Sequence, residues 1–281
     1  WDTPNAAPLP APARGAAAGF GAVDPLIQHM VAGVQPADID KYWSDLTTNP
    51  PTGTRFTWSR GCRDAATYCH KQFEAVHVPA EYQNYDSQYA PNVIGTQSGA
   101  LTPGRVYIVI GHLDDMPFTG KAPGADDNAS GSVTVLEAAR VMSCYAFRST
   151  VKFITCTGEE LGLVGSNAYA ADAQARGEDI RGVLNFDMNG WEGDGIPNPE
   201  NLDLNYNEAS QDLGLLFAQC AADYNTGLAV DAFLCPSLTA SDHYSFWERG
   251  YKAVCGITDN EGYCGHEGSY PYYHTSKHTL A

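Results

Sequence analysis

Histidine, aspartate and glutamate recur in this sequence just after apolar runs. Val106–Ile110 leads into Gly-His-Leu-Asp-Asp, which sets His112, Asp114 and Asp115 directly behind it. A Pro-Gly-Ala-Asp-Asp-Asn-Ala-Ser-Gly turn follows, carrying Asp126 and Asp127. Val151–Cys156 leads into Thr-Gly-Glu-Glu-Leu-Gly, with Glu159 and Glu160, and Arg181–Phe186 ends on Asp187. A C-terminal loop holds His266, His274 and His278. Imidazole and carboxylate together suit Zn²⁺ or a similar borderline ion. Two histidines and three carboxylates exceed what one catalytic zinc with an open position takes. They match two ions sharing a bridging carboxylate. Such a pair can activate a water and polarise a carbonyl at once. Of the adjacent glutamates, one can ligate while its neighbour, turned away, moves a proton. There are plainer readings. A lone histidine after a strand is more often a satisfied core or surface group, and acids favour helix N-termini for dipole reasons. Neither reading explains such groups after three successive apolar runs.

Those groups need elements that bring them to one place. From Arg105 the pattern alternates between apolar runs of strand length and segments with helical spacing. Strands are expected at Val106–Ile110, Val151–Cys156, Arg181–Phe186, Leu228–Phe233 and Tyr251–Ile257. Helices are expected at Ser130–Ser143, Leu161–Ala175, Ala209–Tyr224 and Asp242–Arg249, the last capped by Ser241. Two more helical stretches precede them, within Asp24–Asp45 and over Cys62–Val76. The alternation predicts an α/β fold: a mostly parallel, mixed central sheet with helices on both faces, in three layers. In such a sheet ligands bind beyond the carboxyl ends of the strands. Residues 1–20, rich in Pro, Ala and Gly, read as a flexible arm. No linker interrupts the rest, so 21–281 reads as one domain.

Composition narrows the partners. The 281 residues carry a net charge of −17, which argues against nucleic acid and anionic membranes as partners. No apolar run approaches the roughly 20 residues needed to span a bilayer. Eight cysteines and a start at Trp1 fit a mature secreted product, extracellular or periplasmic. The absence of a Cys-x-x-Cys pair favours disulfides over thiolate zinc. Proximity in sequence suggests Cys62–Cys69, Cys255–Cys264 and Cys144–Cys156, leaving Cys220 for Cys235.

The blocks GHLDD, PGADDNASG, TGEELGLVGS, NFDMNG and YYHTSKHT resemble, in order and spacing, the motifs of the M28 family of metallopeptidases. The branch most similar is that of secreted bacterial leucine aminopeptidases, and the resemblance runs from about Thr54 to the C-terminus. It implies a zinc-dependent exopeptidase fold and two co-catalytic Zn²⁺ ions. By that match, His112 pairs with Asp187 on one ion and His274 with Glu160 on the other. Asp127, rather than Asp126, bridges them, and the Tyr-His-Thr block selects His274 over His266 and His278. Glu159 becomes the general base, and Asp114 accepts the second ring N–H of His112. Tyr273 is a candidate oxyanion donor, and the Asp127–Asn128 peptide is expected to be cis. The implied substrate is a peptide with a free N-terminus, taken by a monomer. Met188, Phe233, Phe246 and Tyr272 are candidate walls for an apolar first side chain such as Leu. Two features depart from the family: His278 stands where an aspartate is usual, and relatives commonly carry a long C-terminal helix beyond the position of Ala281. Rival readings are a glutaminyl cyclase, which typically lacks the first histidine, and a carboxypeptidase, which would need a cation absent from the motifs. A non-catalytic binding module would be betrayed by a lost ligand, and none is lost.

Overall fold

The computed structural model describes residues 23–48, 53–117, 120–191, 201–224, 226–258, 264 and 270–279. The expected arm at 1–20 and His266 lie outside the described residues. Eight strands form one mixed sheet in the order β1-β2-β4-β3-β5-β8-β6-β7. They are β1 (Ala80–Gln83), β2 (Asn92–Gln97), β3 (Thr102–His112), β4 (Ser149–Cys156), β5 (Asp179–Phe186), β6 (Asn201–Tyr206), β7 (Ala229–Leu234) and β8 (Ala253–Ile257). The central strands β4, β3, β5 and β8 run parallel. β2 joins β4, and β6 joins β8, antiparallel.

The helices are α1 (Pro25–Ala32), α2 (Pro36–Thr47), α3 (Arg60–Ala75), α4 (Gly131–Met142), α5 (Val164–Ala175), α6 (Gln211–Asp223) and α7 (His243–Trp247). Successive residues of a strand point to opposite faces, and the central strands are apolar on both. Val109 and Phe153 pack with residues of α2, α3 and α4. Their neighbours Ile108, Ile110 and Ile154 pack on the other face with Tyr169 of α5 and Phe246 of α7. The chain leaves β3 through α4 on one face and returns past β3 through α5 on the other. A crevice opens beyond the carboxyl ends of β3, β4 and β5 where the two connections diverge.

Three strands escaped the sequence reading. β1 and β2 are short and lie among polar residues, and β6 (Asn-Leu-Asp-Leu-Asn-Tyr) alternates polar with apolar residues and offers no continuous apolar run. The α7 segment is shorter than expected, and the Ser241 side chain does not cap it. The cysteine pairing also differs. Cys235 is bonded to Cys264, while Cys62, Cys69, Cys144, Cys156, Cys220 and Cys255 are free thiols. Cys62 and Cys69 share α3 and sit seven residues apart, roughly 10 Å along the axis, beyond the reach of a disulfide. Cys156 and Cys255 are buried within strands of the sheet, and Cys264, though packed against the cluster that holds Cys255, is bonded to Cys235.

Candidate metal centre

Each chemical group sits where a strand ends. β3 ends on His112, which is 1% exposed. The next loop turns through Gly124, whose φ is +45° and where a Cβ would lie 2.3 Å from the Asp115 carboxyl carbon. Only glycine fits there. A kinked turn, Ala125–Ser130, then presents Asp127, and the Asp127–Asn128 peptide is cis. The Asn128 amide donates to the Phe186 carbonyl at 2.9 Å and its oxygen accepts from the Gly131 N–H at 2.7 Å. The turn is thereby tied both to the end of β5, next to Asp187, and to the start of α4. Glu159 and Glu160 follow Gly158, at φ +78°, in a tight turn after β4. His274 arrives from the C-terminal loop.

These side chains meet. His112 Nε2 lies 3.2 Å from Asp127 Oδ1, 3.3 Å from Asp187 Oδ1 and 3.9 Å from Glu159 Oε2. His274 Nε2 lies 3.0 Å from both Asp127 Oδ2 and Glu160 Oε2. Asp127 therefore turns one oxygen to each histidine. Two groups could each hold a cation, His112–Glu159–Asp187 and Asp127–Glu160–His274, with the donor atoms of each within 4.8 Å of one another. The surroundings fit cations as well. Glu160 Oε1 is buried without a hydrogen-bond partner among the described residues. Asp114, Asp115 and Asp126 add further buried carboxylates. Negative charge concentrated away from water is costly unless compensated.

The electrostatics follow from that crowding. Burial pushes the Glu159 carboxyl well above the usual range, and the neighbouring acids Asp187 and Glu160 add to it. Burial and Asp127 lift Glu160 to about 8. Burial opposes a charged ring at His112, yet Asp187 and Glu159 hold its pKa well above the ordinary value. Burial likewise carries Asp126, which accepts the Gly190 N–H at 2.8 Å, up to about 7. Asp126 is thus a buried acid that supports the loop beside Asp127 and not a solvated one.

Supporting contacts differ in part from the expectation. His112 Nδ1 donates to the backbone carbonyl of Asp114 at 3.1 Å, which frees Nε2 to face the carboxylates. The Asp114 carboxylate is 3.9 Å away and does not take that proton. It accepts the Thr57 hydroxyl at 2.7 Å and the Glu159 N–H at 3.2 Å instead, and so joins two loops. His278 is fully buried, and its Nε2 accepts the N–H groups of Asp126 and Asp127 at 2.8 and 3.0 Å. Burial lowers its pKa to about 4, in keeping with a neutral acceptor. The residue that departs from the family pattern thus still anchors the C-terminal loop to the Asp127 turn.

The roles of two groups went unread in the sequence. The Ser241 hydroxyl donates to Asp187 Oδ2 at 2.5 Å, leaving Oδ1 toward His112. Arg55 is fully buried, and its guanidinium donates to the carbonyls of Leu46, Leu113, Pro123 and Gly124 at 2.7–2.9 Å. The sequence offers no signal for this, since burial of an arginine is not visible in it. Nothing in its spacing disclosed which loops it holds.

Beside the cluster lies a cavity lined by Met188, Leu238, Ala240, Cys255, Ile257 and Tyr273. Tyr273 is 41% exposed and stacks on the His274 ring at 3.7 Å. Of the four wall residues expected, only Met188 lines it. Phe246 is core beneath α5, Phe233 packs with Cys235 and Leu238, and Tyr272 is turned outward.

Comparison with known proteins supplies the fold's relatives and the family. Over 163 residues the chain is 35% identical to leucine aminopeptidase 1 of the fungus Arthroderma otae, covering 52% of this chain and 44% of that protein. A second Arthroderma otae protein, a probable leucine aminopeptidase, is 28% identical over 272 residues, which cover 91% and 69% of the two chains. The chain thus spans less than half of the first relatives it matches. These relatives are fungal, so they lend no support to the bacterial branch. Among solved structures, LapA aminopeptidase of Legionella pneumophila superposes with a TM-score of 0.76 at 22% identity, covering 90% of this chain and 68% of that one. BSAP, a zinc aminopeptidase from Bacillus subtilis, gives 0.72 at 15% identity, covering 88% and 89%. A glutaminyl cyclase of Bacteroides thetaiotaomicron gives 0.65 at 18% identity, covering 88% and 91%. At these identities the superpositions speak for the fold alone. The family model for Peptidase family M28 matches residues 92–281, which take in every side chain of the cluster. The chain belongs to peptidase family M28.

Proposed function

We propose that this protein is a secreted dizinc aminopeptidase that removes single residues from the free N-terminus of peptides, favouring apolar residues such as Leu. The observation that supports this most is Asp127, with one oxygen 3.2 Å from His112 and the other 3.0 Å from His274. His112 and Asp187 would hold one zinc ion and Glu160 and His274 the other, with Asp127 between them. Zinc bound there supplies Lewis acidity and a lowered pKa for water. The remaining work belongs to the chain. Glu159, lifted by burial, takes a proton from the attacking water and returns it to the leaving nitrogen. Glu159 and Asp187 offer negative charge to the substrate ammonium, which an internal peptide bond lacks. The cavity at Met188, Leu238 and Ile257 receives the first side chain. Tyr273, which also lines the cavity, would donate a hydrogen bond to the developing oxyanion.

Secretion is supported by the Cys235–Cys264 disulfide. No helix among the described residues is long and apolar enough to cross a membrane. Residues 21–281 are proposed as one catalytic unit acting as a monomer.

The test is hydrolysis of leucine p-nitroanilide beside its N-acetylated analogue, with and without chelator, then with zinc restored. Cleavage of the free-amine substrate alone, lost with chelator and regained with zinc, is expected. Zinc-loaded protein that cleaves no N-terminal residue but cyclises N-terminal glutamine would replace the aminopeptidase reading with a cyclase.

A further inference from the structure

We propose that Trp58, backed by Tyr89 and Tyr85, forms a binding platform for the substrate residues downstream of the scissile bond and gives the enzyme a preference for apolar or aromatic leaving chains. The inference rests on the aminopeptidase reading above. Its first support is position. The Asp114 carboxylate accepts the Thr57 hydroxyl through one oxygen and the Glu159 N–H through the other. One buried group therefore spans both segments and sets Trp58, the next residue along, beside the turn that carries Glu159.

The second support is the state of the ring. Trp58 is 49% exposed. It is nevertheless held in place. Its indole meets Phe56 edge-on at 5.7 Å and Tyr89 at 6.3 Å. Tyr89 in turn meets Tyr85 at 5.6 Å, and the Tyr85 hydroxyl lies 2.7 Å from the Thr157 carbonyl oxygen. Both tyrosines close on Gly158, where a Cβ would stand 2.9 Å from Tyr89 and 3.1 Å from the Tyr85 hydroxyl. The row of rings is thus anchored to the residue preceding Glu159, with Trp58 at its exposed end and both tyrosines half-buried behind it. A fixed aromatic face binds at little cost in side-chain entropy.

The third support is direction. The cavity that takes the first side chain lies on the Met188 and Ile257 side. Glu159 must reach the leaving nitrogen to protonate it, so the departing chain runs past Glu159. Gly158, the residue before Glu159, carries the aromatic row, so a chain that leaves past Glu159 meets the rings packed there.

The experiment compares kcat/KM for leucyl-phenylalanyl-alanine with that for leucinamide, whose leaving group is ammonia. In Trp58→Ala the ratio of tripeptide to amide is expected to fall about five- to tenfold, the range of an aromatic contact plus its buried area, chiefly through KM for the tripeptide. Trp58→Phe, which keeps a ring and guards against a folding defect, should retain most of the ratio. A ratio that stays within twofold in Trp58→Ala, or an equal loss on both substrates in both variants, overturns the platform and leaves the aminopeptidase reading standing. Wild-type protein that hydrolyses neither substrate removes both.

Discussion

Glu159 and Glu160 are neighbours in the chain with different surroundings. Glu160 lies 3.0 Å from His274 and has one oxygen buried without a partner, the condition of a ligand. Glu159 lies 3.9 Å from His112, lines the cavity, and has its N–H fixed by Asp114, which suits the base proposed above. Removing the charge should separate the roles. Glu159→Gln is expected to lower kcat by about a thousandfold, within the range for lost general base catalysis, while bound zinc stays at the wild-type ratio. Elemental analysis of the purified variant decides it: a lost equivalent of zinc would make Glu159 a ligand. Much of this residue-level picture was legible, because the ligand types follow strand ends in order and the family motif supplies the pairing. What was not legible depends on atoms rather than residue types. Asp114 sits where a partner for His112 belongs, yet its backbone carbonyl does that work while its carboxylate joins Thr57 to Glu159. Ser241 read as a helix cap because serine before a polar turn commonly is one. Its hydroxyl instead goes to Asp187.

At the scale of elements, the central strands were legible because burial on both faces makes them continuous apolar runs. β6 and the pair β1–β2 were not, since polar residues interrupt their apolar ones, in β6 and most of β2 even where the strand is buried on both faces. The cysteine pairing failed for the same reason that long-range contacts do: proximity in sequence says little about which loop ends meet in space. Arg55 is the clearest case of an element-level role hidden in sequence. It lies between α2, the segment after β3 and the loop before Asp127, and it donates to a carbonyl in each. Arg55→Met should destabilise the fold by roughly 3–5 kcal/mol, because several buried acceptors lose their donors at once. Urea unfolding at neutral pH measures this. A loss below about 1 kcal/mol would mean that water replaces the guanidinium and that the two loops hold themselves together.

At the scale of the whole molecule, the acidity seen in the sequence divides into two kinds. Most of the net charge of −17 keeps the surface hydrated, but Asp114, Asp115, Asp126, Asp127, Glu159, Glu160 and Asp187 converge on one crevice. Self-repulsion within that crevice opposes folding unless cations are bound or protons are taken up. Metal affinity and fold stability should therefore be linked. An ion that binds only the folded chain adds about 2.7 kcal/mol when its free concentration is a hundred times its Kd. In a domain of this size each kcal/mol moves the unfolding midpoint by about 2–4 °C, so filling one site should raise Tm by about 5–11 °C, and a second ion should add to this. The measurement is calorimetry on chelator-treated protein before and after zinc is restored, with Asp127→Asn as comparison. Because Asp127 faces both histidines, its substitution should weaken both steps of the rise, whereas His274→Ala should remove only one. A Tm indifferent to zinc would mean that protonation alone relieves the crevice, and the two side-chain groups would then have to be explained without a metal.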